Sequence, residues 1–270
     1  MIRIAFIIVS LLLTSLASSQ NHEVKGVVAF RRSISASTGL AVVELSNRAL
    51  NHYTYRNAAV VPVQLSGSMT MGRWYMQSHL RWMSATLSPV WMDATLYETN
   101  ELKYRSLQWQ TTFEREVFRS SWAGYFSGGM DVRLGWMHQN QAYNNLLYEF
   151  GAGVRRNFEV LLPQLSPMIA WRNDWKQFVF HVQASVPVLT IAAHPDDNYI
   201  KQTGYQAKMY WGIYTPAQRF GFNAEAGVMW LLSRRMQASA SWGMEAYRGN
   251  QPEIFHESTH LFRMGMRYVF

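Results

Sequence analysis

The sequence contains no cysteine, which excludes disulfide bonds and metal sites built from thiolates. Beyond the first twenty residues, it also lacks any apolar run approaching the roughly 18 residues that a membrane-spanning helix requires. The formal net charge is +8, yet basic residues never occur in runs longer than a pair. These absences exclude a helical membrane protein and a disulfide-stabilised scaffold, and they do not favour nucleic acid as a partner.

The N-terminus has the pattern of a secretory signal. Arg3 precedes an apolar stretch over residues 4–13, and the small residues Ala17 and Ser19 occupy the positions expected before a cleavage site. We therefore expect residues 1–19 to be a signal peptide and residues 20–270 to be one exported domain. The absence of cysteine at the predicted cleavage site argues against a lipoprotein.

A period of two dominates the exported part of the chain. In the closing segment, large apolar residues occupy the even positions 262–270, whereas Arg263, Gly265 and Arg267 occupy the odd positions between them. The same alternation occurs in residues 74–88, 107–114, 126–136, 148–155, 177–188, 205–213, 222–230 and 236–245, and less clearly in residues 34–45, 59–70 and 167–172. The pattern predicts an all-β fold, a transmembrane antiparallel β-barrel of about 12 strands, an even number as is usual for single-chain bacterial barrels.

The alternative is a soluble β-sandwich, which also alternates but places few aromatic residues on a face that meets solvent. In this chain, large aromatic residues lie on the apolar face near the expected strand ends, where membrane barrels carry their interfacial girdles. Examples are Trp136, Trp211, Trp230 and Trp242. This distribution favours the membrane barrel.

The terminal sequence "MGMRYVF" places Met264, Met266, Tyr268 and Phe270 at every second position. It resembles the C-terminal assembly signal of bacterial outer-membrane β-barrel proteins. The resemblance implies an outer-membrane location, contact with outer-membrane lipids and recognition by the barrel-assembly machinery. It identifies a class of protein and not a subfamily.

Strand counting back from the C-terminus predicts which connections face the periplasm. Tight turns at 70–73 and 232–234 are then periplasmic, and longer segments at 46–58, 89–103, 138–145 and 248–257 are extracellular. The long segment at 192–204 does not fit, because the count makes it periplasmic. Either two strands extend below the membrane there, or the count is wrong by one hairpin.

Charged residues on the predicted inner face form the main candidate site. They carry both signs, and we expect them in one network: Glu114, Asp131, Arg133, Glu149, Arg155, Lys208, Glu225, Glu245, Arg263 and Arg267. Interlocked ion pairs would fill the lumen, and removing one partner would leave a costly uncompensated charge. The alternative is that some of these residues line a narrow polar path or a small-molecule site.

Two motifs resemble catalytic or nucleotide-binding signatures. "HESTH" at 256–260 matches the H-E-x-x-H zinc pattern, but that chemistry needs a helix, whereas here an extended strand is expected. Four residues of strand span roughly 13 Å, too far for both imidazoles to hold one metal ion at about 2 Å. "GAGVRR" at 151–156 lacks the third glycine and the strand-to-helix context of a dinucleotide loop. The sequence predicts no cofactor and no metal site.

Two enzyme families are also built on outer-membrane barrels, phospholipases and omptin-type proteases. The nearest His–Ser pair, His181 and Ser185, faces the lumen by parity, so the phospholipase motif does not carry over. His138, His256, Asp93 and Asp174 lie in or near predicted outer loops but form no recognisable protease pattern.

Three function hypotheses follow from these observations. The first is an outer-membrane structural or binding component with a largely filled polar lumen. The second is a narrow channel for small polar solutes, and the third is an outer-membrane lipase or protease. A small polar solute or an extracellular ligand is an expected partner, in addition to lipid.

Overall fold

A computed structural model describes residues 30–47, 54–90, 102–120, 123–142, 155–195, 209–249 and 255–270. These residues form thirteen β-strands: β1 Phe30–Asn47, β2 Thr54–Val60, β3 Val63–Met71, β4 Trp74–Pro89, β5 Leu102–Ser120, β6 Gly124–Ala142, β7 Arg155–Trp175, β8 Phe178–Ser185, β9 Leu189–Pro195, β10 Met209–Tyr214, β11 Arg219–Leu231, β12 Met236–Gly249 and β13 Phe255–Val269. Within the described part of the chain, no helix is long and apolar enough to cross a membrane.

All strand pairings are antiparallel, and the sheet closes on itself because β1 pairs with β13. Strands β2 and β3 lie end to end between β1 and β4, and β8 and β9 lie end to end against β7. Strands β10 and β11 likewise continue one another opposite β9 and β8. Three pairs of strands are therefore collinear, and the thirteen strands build a barrel of ten staves.

Proline accounts for two of the three breaks, because it has no N–H to donate to a sheet ladder. Pro62 separates β2 from β3, and Pro187 separates β8 from β9. The third break is the segment 215–218, where the Thr215 carbonyl accepts bonds from the Gln218 and Arg219 N–H groups. The sequence expectation of about twelve strands thus corresponds to thirteen strands in ten staves.

The barrel has two different ends. At the short-turn end, which also holds Phe30 and Phe270, the connections 72–73, 176–177 and 232–235 are tight, and β5 ends four positions before β6 begins. Gly72 and Lys176 adopt positive φ angles of 61° and 55° in two of these turns. At the long-loop end, the strands lead into segments 48–53, 91–101, 143–154, 196–208 and 250–254.

The ten-stave count removes the anomaly at residues 192–204. Since β10 and β11 form one stave that the count took as two strands, β9 ends and β10 begins at the long-loop end, as the strands beside the other long connections do. The expected division between short turns at one end and long segments at the other holds around the ring. The turns predicted at 70–73 and 232–234 lie at the short-turn end, as expected.

Candidate functional site in the barrel interior

Along the barrel axis, the distribution of polar and apolar residues between the outer and inner faces changes. This change determines which side chains fill the barrel interior. Between the short-turn end and Phe262, the outer face of β13 is apolar, with Phe262, Met264 and Met266 strongly exposed. Beyond Phe262 the outer face carries His260, Ser258 and His256, while Leu261 points inward with 1% exposure. The half near the short turns is apolar outside and polar inside. In the other half the outer face is more polar, and apolar side chains such as Leu261 are buried inside beside polar ones such as Glu257.

Residues of the two neighbouring strands lie at the same level as Phe262. Leu40 and Trp242 both pair with Phe262 and are exposed on the outer face. In β1, the residues that follow on the inner face are Ala41 and Val43, both fully buried. We call the apolar outer surface from Phe262 to the short turns the lipid-facing band. In β13 it comprises about nine residues, which at roughly 3.4 Å per residue and a 40° tilt rise about 23 Å, close to the apolar height of a membrane barrel.

The inner face of the long-loop half is filled by an apolar cluster, which we call the sealing cluster. Its members come from strands around the barrel and are almost inaccessible to solvent: Ala41, Val43, Leu45, Tyr55, Val60, Met83, Leu87, Leu102, Tyr104, Met137, Tyr214 and Leu261. Burial of such side chains stabilises a fold by roughly 1.5–3 kcal/mol each. The long-loop half is therefore packed like a small soluble barrel.

A layer of ion pairs lies directly below the sealing cluster. Glu245 on β12 bridges two arginines, with 2.6 Å from Oε2 to Arg81 Nη2 and 3.4 Å from Oε1 to Arg133 Nη1. Arg81 also donates to Gln108, and Arg133 donates to Tyr247. Because these groups come from β4, β5, β6 and β12, the layer connects staves across the lumen.

Asp131 and Asn223 extend this layer toward β8. Asp131 Oδ2 lies 3.8 Å from Arg133 Nη2 and accepts hydrogen bonds from Gln110 Nε2 at 2.9 Å and Ser185 Oγ at 3.3 Å. Asn223 Oδ1 accepts from Arg133 Nη1 at 3.0 Å, and its Nδ2 donates to Ser185 Oγ at 3.3 Å. The Ser185 hydroxyl is thus held between an acidic and an amide side chain.

A second group of charges surrounds Glu225. Its Oε1 lies 2.7 Å from Arg263 Nη2 and 3.5 Å from His181 Nε2, and its Oε2 accepts from Gln183 Nε2 at 3.4 Å. Arg263 also donates to Gln64 on β3. Strands β3, β8, β11 and β13 are joined by this group.

A third group lies toward the short-turn end. Glu114 Oε1 pairs with Arg172 Nη2 at 2.9 Å, and Glu114 Oε2 accepts from Ser127 Oγ at 2.8 Å. The Arg172 guanidinium stacks 3.8 Å from the centre of the Tyr75 ring and donates to Tyr125. This buried, stacked and paired arginine on β7 therefore connects four neighbouring strands, β4 to β7.

Arg267 differs from the arginines described above in having only neutral partners. Its Nε donates to Ser33 Oγ at 2.7 Å, its Nη2 donates to Ser68, and Nη1 lies 3.1 Å from the Met229 sulfur. Ser33 and Ser68 are hydrogen-bonded to each other at 2.7 Å. Among the described residues, no carboxylate approaches Arg267 within 4.0 Å.

The free space in the lumen narrows from the short-turn end inward. A cavity of about 210 Å³ opens at that end, an adjoining cavity of about 80 Å³ shares Arg172 and Arg267 in its wall, and one of about 30 Å³ lies among the ion pairs. The sealing cluster follows. Within the described part of the chain, the lumen is therefore a funnel that opens at the short-turn end and ends at the sealing cluster.

The structure brings together most of the charged residues expected in the lumen. Seven of the predicted residues lie on the inner face: Glu114, Asp131, Arg133, Glu225, Glu245, Arg263 and Arg267. They form the separate groups described above. Glu149 and Lys208 lie outside the described residues, and Arg155 belongs to β7 by its backbone, with its side chain outside the description.

Several residues of these groups escaped the predicted network. Arg81 and Arg172 each neutralise one of the predicted glutamates, and Tyr247 joins Arg133 to Asn223. Glu257, inside the "HESTH" motif, accepts from Tyr104 OH at 3.2 Å. Inward parity along β4, β12 and β13 is the sequence signal that would have found Arg81, Tyr247 and Glu257.

The zinc-like motif is extended, as the strand pattern predicts. His256 and His260 lie on the outer face of β13, and Glu257 is buried on the inner face. This geometry cannot bring both imidazoles and the glutamate to one metal ion. The "GAGVRR" motif begins outside the described residues.

Residues considered for hydrolysis are not assembled into one site. His181 contacts Glu225 and Ser185 contacts Asp131, in different groups of the lumen. Asp174 was expected near an outer loop; this was wrong, because it pairs with Val179 beside turn 176–177 at the short-turn end. The extra stave implied by the twelve-strand count caused the error. Asp93 lies outside the described residues.

No protein-family model matches the chain, and no curated protein matches its sequence. Solved structures do match. The outer membrane protease OmpT from Escherichia coli superimposes with a TM-score of 0.58 over 91% of this chain and 99% of that chain, at 6% identity. The chain has the fold of an outer-membrane β-barrel. The β-domain of the Bordetella autotransporter BrkA aligns over 90% of this chain and 100% of its own, with a TM-score of 0.46 and 14% identity.

Proposed function

We propose that the protein is an integral outer-membrane barrel with a closed lumen, which serves as a structural or binding component of the cell envelope. The sealing cluster is the observation that carries this proposal. Its members are at most 7% exposed, and three of the large ones, Tyr55, Leu87 and Leu261, are at most 1% exposed. An apolar, fully packed layer offers no polar path for a hydrated solute.

The lipid-facing band supports the membrane location. It is apolar, about as high as a bilayer core, and bordered at the short-turn end by exposed aromatic side chains such as Trp74, Trp175 and Phe270. Aromatic rings at this level are typical of the membrane–water interface. Outer-membrane lipid is the partner that such a surface requires.

The orientation follows from the division of connections. Outer-membrane barrels have short periplasmic turns and longer extracellular loops, so the short-turn end would face the periplasm. The long-loop half, with its polar outer surface, would then extend beyond the membrane and display its loops to an extracellular ligand. Export by the signal peptide 1–19 and assembly through Met264, Met266, Tyr268 and Phe270 complete this proposal.

The two alternative functions receive less support. A channel for small polar solutes requires a lumen open at both ends, whereas the funnel is open at one. A lipase or protease requires a nucleophile beside a base, and His181 and Ser185 are held in different groups. The likeness to a protease concerns the fold and carries no catalytic residue to this chain.

Reconstitution in planar bilayers tests the proposal. Because the sealing cluster closes the lumen, we expect no stable single-channel steps from folded wild-type protein. Heat-modifiable gel mobility should verify folding, and flotation with liposomes should verify insertion. An absence of channel steps then cannot result from unfolded or uninserted protein. Stable, reproducible steps from protein that passes both controls would establish the channel and refute the closed barrel.

A further inference from the structure

The mouth of the funnel is strongly cationic, and we call this 210 Å³ cavity at the short-turn end the vestibule. Its wall contains two glutamates, Glu114 and Glu116, and six arginines: Arg31, Arg32, Arg73, Arg119, Arg172 and Arg267. Low-dielectric walls of one charge sign concentrate the field and raise the local concentration of the opposite ion. The vestibule therefore attracts anions.

The two glutamates do not neutralise this charge. Glu114 is engaged by Arg172 at 2.9 Å, and Glu116 is engaged by Arg119 at 2.5 Å and 3.0 Å. Each carboxylate thus compensates one arginine. In the part of the chain that the structure describes, no carboxylate lies within 4.0 Å of the basic groups of Arg31, Arg73 or Arg267, so an excess of positive charge persists at the mouth.

Arg267 is the residue in the vestibule with the strongest requirement for a counter-ion. It is partly buried, and its described partners are the hydroxyls of Ser33 and Ser68 and the sulfur of Met229. A partly desolvated guanidinium without a carboxylate gains considerably from an anionic partner. Since Ser33 and Ser68 share one hydroxyl proton between them, the other hydroxyl of the pair provides an additional donor beside Arg267.

We propose that the vestibule binds a phosphoryl group, with Arg267 as the central ligand. The planar fork of arginine matches phosphate oxygens in pairs, and a tetrahedral phosphate has further oxygens for the neighbouring hydroxyls and Arg172. The cavity corresponds to roughly seven water volumes at about 30 Å³ each, which suits a phosphate or a small phosphate ester. It is smaller than the roughly 300–1,000 Å³ of pockets for drug-sized ligands.

This inference goes beyond the closed barrel, because the seal and the vestibule lie in opposite halves of the molecule. A conducting barrel could still bind phosphate, and a closed barrel could fail to bind it. The outcomes of the two experiments are therefore independent. The same phosphoryl chemistry could reach the vestibule from a soluble phosphate or from a phospholipid headgroup at the rim.

Isothermal titration of the detergent-solubilised full-length protein with inorganic phosphate at low ionic strength is the primary test. We expect saturable binding to the wild type and at least a tenfold weaker affinity for Arg267→Gln. Arg115→Gln is the matched control, because Arg115 is exposed over the Trp74 ring outside the vestibule, and its affinity should equal that of the wild type. Chloride at the same ionic strength should not compete at the concentrations where phosphate saturates.

A second variant at this position separates a loss of phosphate binding from a loss of folding in Arg267→Gln. Arg267→Lys keeps the charge and removes the fork, so it should fold and bind phosphate several-fold more weakly. Absence of saturable binding in the wild type, or equal affinity in wild type and both Arg267 variants, would overturn the proposal.

The amount of lipid phosphorus that co-purifies with each protein distinguishes the two sources of the phosphoryl group, a soluble phosphate and a phospholipid headgroup. If Arg267→Gln retains less phospholipid than the wild type, and phosphate displaces that lipid, the headgroup is the occupant. If retained phospholipid is equal while phosphate affinity falls, the occupant is a soluble phosphate. Both results support the phosphoryl site.

Discussion

At the scale of single residues, the stability of the barrel interior depends on carboxylates that contact two cationic side chains, as Glu245 does. Glu245 contacts Arg81 at 2.6 Å and Arg133 at 3.4 Å, and all three side chains are largely buried. A buried ion pair contributes little net stability when it is complete, but removing one partner leaves an uncompensated charge. Glu245 should therefore be far less tolerant of substitution than an acidic residue at the rim.

Glu245→Ala should lower the stability of the folded barrel substantially. Two arginines would lose their shared partner, and breaking a buried pair in this way typically costs about 3–5 kcal/mol. The matched control is Glu116→Ala, because the Glu116 side chain is 14% exposed, close to the 13% of Glu245. Its partner Arg119, however, is 66% exposed and can be solvated when the carboxylate is removed, so the loss should be smaller, roughly 0–1 kcal/mol. The temperature at which heat-modifiable gel mobility is lost measures the difference. Equal decreases in this temperature for the two variants would show that the buried ion pairs contribute no more to stability than the pair of Glu116 with Arg119.

At the scale of the strands, the seam between the first and last strands depends on a close backbone approach. Gly39 on β1 lies opposite Arg263 on β13, and a methyl group at Gly39 would overlap the carbonyl oxygen of Phe262. A backbone atom cannot move aside as a flexible side chain can. Closure of the barrel therefore requires glycine at this position.

Gly39→Ala should weaken the seam, with a cost of about 1–3 kcal/mol, as is typical of overpacking. Gly67→Ala on β3 is the matched control, because the nearest atom to its added methyl group would be 3.9 Å away. We expect a smaller folded fraction on unboiled gels for Gly39→Ala and an unchanged fraction for Gly67→Ala. Unchanged folding of Gly39→Ala would mean that the strands can separate locally without loss.

Strand alternation made much of this architecture predictable from sequence. The outward assignment of Phe262, Met264 and Met266 follows from period two alone, and all three are exposed in the structure. The number of staves was harder, because residues 205–213 and 222–230 were counted as two neighbouring strands, whereas β10 and β11 lie end to end in one stave. A broken strand and a hairpin look alike until pairing partners are known.

The sealing cluster could also have been found, but only by tracking the phase of the alternation. In β1 the apolar positions shift from even at Ile34 and Leu40 to odd at Ala41 and Val43. If all the apolar residues of a strand are assumed to lie on one face, such a shift is overlooked. The partners within the lumen, such as Arg81 with Glu245 across 164 positions, depend on closure and could not be derived from local pattern.

At the scale of the whole molecule, the barrel combines two environments in one sheet. The half near the short turns has an apolar outer face and encloses charges, and the half near the long loops has a more polar outer face and encloses the sealing cluster. Both arrangements satisfy the same requirement, that apolar surface avoids water while polar groups find partners. The boundary between the two halves lies at the level of Phe262. The proposed position in the membrane, and the placement of the sealing cluster and the vestibule in opposite halves, depend on this boundary.

Cysteine scanning along the outer face of β13 measures that boundary directly. Since the chain has no cysteine, single substitutions at His256, Ser258, His260, Phe262, Met264 and Met266 can each be labelled without background. Intact cells carrying each folded variant would be exposed to a membrane-impermeant maleimide. We predict labelling at positions 256, 258 and 260 and a sharp loss from 262 onward. Uniform labelling along the strand, or labelling confined to 264 and 266, would contradict the proposed position of the barrel in the membrane.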